Sequence, residues 1–333
     1  MRFERPLLRL PIRFRADVLA REVSALPRSA WVPHPTGFAG NDAVRLITPS
    51  GMPTDDLDGA MAPTEYLRAC PYILDIMAEL GGTWGRSRLM GLGPGAEVPA
   101  HVDSHYYWRT HLRIHIPIIT NPGVEFTCGG ETVHMAAGEC WVFDSFQRHE
   151  VHNRGDAHRV HLVLDTVGGR KLWELIKQAQ NAPGTEPGIL EPGSGDAASL
   201  LFERVNAPRV MSPWELRCHI AFLSGEAREH EKLGAVRERL DRLVNEWSAI
   251  WTAYADTAQG VPSFQGLLRE VAQDLVKLGA NEIPLHNDLS FFHVFGRLIL
   301  EVAIDPRPGV ARQAGPNPAS AGGFVTVRSR AAS

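Results

Sequence analysis

Four cysteines in 333 residues, Cys70, Cys128, Cys140 and Cys218, are too few and too scattered for a disulfide framework, and no C-x-x-C pair offers a thiolate zinc site. They are expected to be reduced and mostly buried, with Cys128 near any site built in the middle of the chain. No block of like charge occurs: 34 basic against 38 acidic side chains give a net charge of -4, which leaves no electrostatic footprint for nucleic acid. No apolar run is long enough to span a membrane, and residues 1–25 are broken by Arg, Glu and Pro every few positions, unlike a secretory leader. These absences give the expectation of a soluble cytoplasmic protein with no nucleic-acid and no membrane partner. Internal repeats are also lacking. A hydrophobic content of 44% is ordinary for a globular chain, which at this length forms one large domain or two smaller ones. What is plentiful is histidine in one place: nine of the 14 lie between His101 and His161.

Around that concentration the apolar pattern changes period twice. Ala16 to Leu26 has helical spacing, Val44 to Thr48 reads as a short strand, and Pro71 opens a helix over Ile73, Leu74, Ile76, Met77 and Leu80 that Gly81 and Gly82 end. From Arg86 to Val167 short β-rich runs alternate with turn residues: Arg88–Leu92, His111–Ile119, Val124–Cys128, Thr132–Met135, Cys140–Phe143, His149–Asn153 and Arg159–Asp165. Gly129-Gly130 is a hairpin signal between two of them. The expected fold class is α+β: a double-stranded β-helix, the cupin-like jelly roll, with flanking helices and a helical C-terminal portion. The expected boundaries are a roll over 1–170, helices over 171–305, and a tail over 306–333 rich in Pro, Gly, Ala and Ser that reads as disordered at its end. Within the helical portion Ser212-Pro213-Trp214-Glu215 is a helix start, and helices are expected to about Ala255, over Ser263 to about Leu278, and over Leu285 to about Val302. Apolar stripes there, including Leu216, Leu223, Leu240, Leu243, Trp247 and Trp251, are packing or the face of a homodimer.

The chemistry starts from His101-Val102-Asp103. An imidazole and a carboxylate one residue apart, joined 46 residues later by His149, fit the 2-His-1-carboxylate facial triad that leaves open positions on a non-heme Fe(II) ion. Strand alternation tests which other side chains can meet them. Leu112, Ile114, Ile116 and Ile118 share one face, whereas His111, Arg113 and His115 share the other. Arg159, His161, Val163 and Asp165 likewise oppose Val160, Leu162 and Leu164. Parity puts His149 and His152 on opposite sides, so His152 is read as a surface or supporting histidine. Tyr106, Tyr107 and Trp108 are substrate wall or core, Arg109 binds a substrate carboxylate or a surface acid, and His161 is the remaining histidine best placed to face the site. His105, His111, His134 and His158 are read as supporting the site from behind its ligands or as structural.

The string from His101 to Val167, with H-V-D-S-H-Y-Y-W-R, H-L-R-I-H-I-P-I, G-G-E-T-V-H-M-x-A-G-E-C-W-V-F-D, H-E-V-H-N and R-V-H-L-V-L-D-T-V, resembles the aspartyl/asparaginyl β-hydroxylase family, which takes in bacterial proline hydroxylases. The resemblance covers residues 30 to 170. It implies Fe(II)- and 2-oxoglutarate-dependent dioxygenase chemistry, with O2 as the second cosubstrate and a double-stranded β-helix as scaffold. By position, His101 and His149 resemble the iron-binding histidines and Asp103 the iron carboxylate. Arg159 resembles the arginine that pairs with the distal carboxylate of 2-oxoglutarate, with Arg113 and His115 as further candidates. A bidentate guanidinium suits that anion.

The function this implies is hydroxylation of a free amino acid or amino-acid-like small molecule, with succinate and CO2 released. Desaturation or rearrangement by the same machinery would depend on the substrate's pose. Two other readings compete: hydroxylation of Asp or Asn within a peptide or protein, and a non-catalytic cupin-like protein that binds a metal or ligand. The second makes the 2-oxoglutarate arginine superfluous. Pocket specificity is expected in the loop from Trp31 to Asp42, around Tyr106 to Arg109, and in the helical portion.

Overall fold

The computed structural model describes residues 3–205 and 209–305, so the expected tail over 306–333 lies outside the described residues. The described chain divides into two compact units. The first runs to Arg204 without Ser104–Tyr106, and the second comprises Ser104–Tyr106 and the residues from Val205 onward.

Eight strands of the first unit form the roll: β3 (Thr83–Leu92), β4 (Glu97–His101), β5 (Leu112–Ile119), β6 (Val124–Cys128), β7 (Glu131–Val133), β8 (Glu139–Phe143), β9 (His149–Asn153) and β10 (Arg159–Thr166). The large sheet has the order β8-β5-β10-β3, extended by β1 (Leu7–Phe14) beside β8 and β2 (Asn41–Pro49) beside β3; the small sheet is β4-β9-β6-β7. The chain thus crosses between sheets at nearly every turn, which is the double-stranded β-helix. The exception is the β6–β7 hairpin, where Gly129 and Gly130 both take positive φ (57° and 85°), as a two-residue turn of the primed type requires.

Alternation along β5 and β10 decides what each face meets. Leu112, Ile114, Ile116, Ile118, Val160, Leu162 and Leu164 are buried in one apolar cluster with Leu19 and Val23 of α1 (Ala16–Ala25), Ile73, Ile76 and Met77 of α2 (Pro71–Leu80), and Leu172 and Ile176 of α3 (Arg170–Asn181). Helices therefore cover the outer face of the large sheet. Removing one such side chain, as in Ile114→Ala, costs about 2–5 kcal/mol. Helix α2 starts at Pro71 and ends where Gly81 takes φ 64°, its N–H reaching Met77 O. Its first free N–H groups, on Tyr72 and Ile73, are accepted by the Glu22 carboxylate of α1 at 2.7 and 3.3 Å. The inner face of the roll is left to the polar alternates and to a smaller apolar cluster of Leu92, Val124, Phe126, Phe143 and Val151.

The expected boundary after residue 170 lies further along. Helix α3 belongs to the roll's core, Gly188–Leu190 pairs with β1, and Leu201–Phe202 pairs with Thr83–Trp84 of β3, so the unit closes only at Arg204. These returns come from short strands that carry no periodicity of their own.

The second unit holds α4 (Pro213–Glu226), α5 (Leu233–Tyr254), α6 (Val261–Lys277) and α7 (Phe291–Phe295). Ser212 caps α4 by accepting from Glu215 N–H, and Trp247 packs its ring 4.4 Å from that of Phe264. The helix expected from Leu285 begins six residues later. Asn287 Oδ1 accepts the Leu289 N–H, Asp288 sits at φ 67°, and Ser290 then caps α7, so an Asx turn occupies the sequence that apolar spacing assigns to helix. A π-helical turn, Gly296–Leu300, follows. No helix among the described residues is long and apolar enough to cross a membrane.

Candidate metal centre and its pocket

His101 ends β4 and His149 begins β9, and the two are direct partners across the antiparallel pair, with ring centroids 4.1 Å apart. Two residues beyond His101, the Asp103 backbone N–H donates to Ser145 O at 3.0 Å, which turns its carboxylate back toward the histidines. One ligand atom from each of His101, Asp103 and His149 lies within 4.8 Å of the other two, the single such grouping among the described residues, and all three side chains are buried.

The protonation pattern fits a metal. His101 Nδ1 donates to Pro99 O at 2.8 Å and His149 Nδ1 to Gln147 O at 2.9 Å. A carbonyl only accepts, so each Nδ1 carries the proton and each Nε2 turns a lone pair inward. His149 Nε2 stands 4.0 Å from Asp103 Oδ2. Burial, and for His101 also the neighbouring His149, push these imidazoles down to about 3 and about 4, so both are neutral at neutral pH. Two neutral nitrogens and one carboxylate oxygen are the donor set of a facial non-heme iron site.

Arg113 serves this triad from β5 of the large sheet. It donates to Asp103 Oδ2 at 3.0 Å and to Asp165 at 2.9 and 3.5 Å, a cation shared between two carboxylates. Arg159 stands in contrast. It is 4% exposed and lines the same cavity, yet no carboxylate among the described residues lies within ion-pair distance of it. Its Nη2 donates to His161 Nδ1 at 2.6 Å, its Nε has no partner, and burial alone lowers its pKa to about 9. His161 Nε2 and His115 Nδ1 are likewise buried without partners, in rings 5.7 Å apart that burial and Arg159 keep neutral. An unpaired buried guanidinium is costly, and a ligand carboxylate would offset it.

Of the other residues expected at the site, Trp108 lines the cavity. Tyr107 lies behind it, packed with Trp108 and Leu57. Tyr106 falls in the second unit, where its hydroxyl donates to Glu215, and neither it nor Arg109 nor His161 is among the lining residues. His152 points outward, with Nδ1 3.1 Å from Glu97, as its parity requires. Cys128 is buried and pairs with His149 across the small sheet, but its thiol faces Asp144 O and burial raises its pKa above the usual range.

Sequence reading missed Arg86 and Arg88. Both line the cavity from β3, where Arg86, Arg88, Met90 and Leu92 share the inner face. The same alternation, carried two residues upstream of Arg88, exposes them. Arg88 donates to Asp55 at 2.6 Å and to His34 Nε2 at 3.3 Å, and Arg86 Nη1 is buried without a partner. His34, which burial and Arg88 push down to about 2, joins Thr36 and Asn41 in lining the cavity from the loop expected to set specificity.

Known proteins match part of the chain. Residues 58–168 match the model of the Aspartyl/Asparaginyl beta-hydroxylase family. No curated protein matches the chain. Among solved structures, an oxidoreductase of the 2OG-Fe(II) oxygenase family from Burkholderia pseudomallei is 14% identical over 47% of this chain and 80% of that one, with a TM-score of 0.37. A Pseudomonas putida prolyl-4-hydroxylase is 14% identical over 50% and 94%, with a TM-score of 0.33. A cupin-superfamily sugar phosphate isomerase from Silicibacter pomeroyi is 17% identical over 43% and 73%, with a TM-score of 0.26. The segment from residue 58 to residue 168, which holds the roll and all three triad residues, thus matches the aspartyl/asparaginyl β-hydroxylase family.

Proposed function

We propose that the chain is an Fe(II)- and 2-oxoglutarate-dependent dioxygenase that hydroxylates an unactivated C–H bond of a free amino acid or amino-acid-like small molecule. The observation that carries this reading is the convergence of three buried donors, His101, Asp103 and His149, within 4.8 Å, in a cavity that also holds the unpaired Arg159. Bound iron would supply the oxidation with O2 as oxidant and 2-oxoglutarate as co-reductant: one oxygen atom would end in succinate as the keto acid loses CO2, and the other in the hydroxylated product. The protein's part is placement. His101 and His149 offer Nε2 because backbone carbonyls hold their Nδ1 protons, and Arg113 fixes the Asp103 carboxylate. Arg159, with His161 behind it and His115 beside it, takes the distal carboxylate of 2-oxoglutarate.

Charge supports an acidic substrate. Four arginines, Arg86, Arg88, Arg113 and Arg159, line the cavity against two aspartates, Asp103 and Asp165. Arg113 is committed to both aspartates, Arg88 to Asp55 and Arg159 to the cosubstrate, which leaves Arg86, with its Nη1 unpartnered, for a substrate carboxylate, and Trp108 as an apolar wall beside it.

The test is to incubate anaerobically purified protein with Fe(II), 2-oxoglutarate and a panel of amino acids, admit oxygen, and read succinate and a product mass increase. Succinate matched by a hydroxylated amino acid is expected. Matched succinate only with Asp- or Asn-containing peptides would move the reading to peptide hydroxylation, and absence of succinate with every candidate would contradict the dioxygenase.

A further inference from the structure

The Trp108 wall is held from behind by a residue outside the eight strands of the roll. After α3 the chain returns to the edge of β3, where Glu203 N–H donates to Trp84 O at 3.0 Å and Met61 N–H donates to Glu203 O at 2.7 Å. The Glu203 side chain, 3% exposed, meets His111 Nε2 in a hydrogen bond. His111 Nδ1 lies 2.7 Å from the Tyr107 carbonyl oxygen, and its ring stacks on that of Tyr107 at 3.7 Å and 15°. A carbonyl only accepts, so Nδ1 carries a proton; Nε2 faces a carboxylate, so a second proton lies between His111 and Glu203. The pair is therefore a directed, charge-assisted bond with no net charge, buried away from the cavity.

Tyr107 passes this constraint on. Its Oη accepts the backbone N–H of Arg86 at 2.9 Å. Gly85 makes the approach feasible, since a Cβ there would stand 2.7 Å from Tyr107 Oη and 3.0 Å from Glu203 Oε2. The next residue, Trp108, lies under two guanidinium groups, Arg86 at 4.7 Å and Arg113 at 4.0 Å from its ring centroid. Neither Glu203 nor His111 lines the cavity, and the mechanism above uses neither.

We propose that Glu203 is a positioning residue for the substrate: through His111 and Tyr107 it fixes Arg86 and Trp108, and so sets where the substrate carboxylate and its target C–H come to rest. This rests on the dioxygenase reading of the same cavity. The triad and Arg159 are held by other contacts, so loss of Glu203 affects the substrate and leaves the cosubstrate.

The experiment compares Glu203→Ala, Glu203→Gln and His111→Asn with the wild type, reading KM for substrate, KM for 2-oxoglutarate, succinate formed per hydroxylated product, and the charge-transfer absorbance of the anaerobic Fe(II)–2-oxoglutarate complex. Misplacement on the ångström scale is expected to raise the substrate KM of Glu203→Ala about tenfold to a hundredfold and to release succinate in excess of product. The 2-oxoglutarate KM and the absorbance stay at wild-type values. Glu203→Gln, whose amide can donate to a neutral His111 Nε2, recovers most of the loss. His111→Asn reproduces the alanine phenotype and covers the case in which Glu203→Ala fails to fold. Variants that match the wild type, or that lose substrate and cosubstrate affinity together with thermal stability, would overturn the proposal. A wild type that forms no succinate instead refutes the dioxygenase reading. In that event the crystal structure of Glu203→Gln or Glu203→Ala decides: displaced Trp108 and Arg86 side chains in the alanine variant alone support the positioning role, and unmoved side chains in both overturn it.

Discussion

Two arginines on neighbouring strands of one sheet face the same cavity under opposite conditions. Arg113 on β5 is bonded to Asp103 and Asp165, whereas Arg159 on β10 has a histidine nitrogen for its partner and no carboxylate. One end of the cavity is therefore electrostatically complete within the protein, and the other is complete only with an anion present. Enzymes place structural ion pairs and ligand-binding cations side by side, and the partner list separates them where the residue type does not.

The largest loss is expected at the triad. His101→Ala, Asp103→Ala and His149→Ala are each expected to lower coupled succinate formation by about a thousandfold or more, with loss of bound iron by metal analysis, since each removes one of three donors. Arg113→Ala comes next. It leaves Asp103 and Asp165 buried without their shared cation, and unfolding in urea is expected to show a loss of about 3–5 kcal/mol. Arg159→Ala should leave metal-free stability unchanged or raise it, while the 2-oxoglutarate KM rises about tenfold to a hundredfold through loss of a charged hydrogen bond. Equal stability losses in the two arginine variants would erase the distinction.

Acid tests the neutral histidines beside Arg159 and Arg88. His34, His115 and His161 are held below their ordinary value by burial, so the unfolded chain takes up protons that the folded chain refuses. The stability of their neutral forms is fully present above about pH 6.5 and falls as pH drops below it, with each histidine adding a slope of about 1.4 kcal/mol per pH unit until its folded value is reached. Thermal unfolding between pH 7.5 and pH 5 reads this, and a Tm that rises toward pH 5 would contradict it. The smallest effect belongs to His152→Ala. Its ring points outward to Glu97, and turnover is expected to stay within about twofold of wild type, as for a surface ion pair.

Local chemistry was legible in the sequence. The period of two put Ile114 and Ile116 against the helices and Arg113 and His115 inside, Gly129-Gly130 fixed a hairpin, and Ser212 marked a helix start. The separation of His149 from His152 followed from parity alone. Long-range pairings were not legible. Glu203 meets His111 across 92 residues, and Leu201–Phe202 finds the edge of β3 with too short a strand to show alternation. The Asx turn at Asn287-Asp288 was hidden because apolar spacing on both sides mimics a helix, although the Asn-Asp pair carries the turn signal. Arg86 and Arg88 were legible in principle, since they share the face of β3 with Met90 and Leu92.

The most direct measurement is a crystal structure of the protein soaked anaerobically with Fe(II) and 2-oxoglutarate. One iron is expected, bonded to His101 Nε2, His149 Nε2 and an Asp103 carboxylate oxygen, with the far carboxylate of the keto acid on Arg159. Iron bound elsewhere, or a keto acid whose far carboxylate leaves Arg159 unpaired, would contradict it.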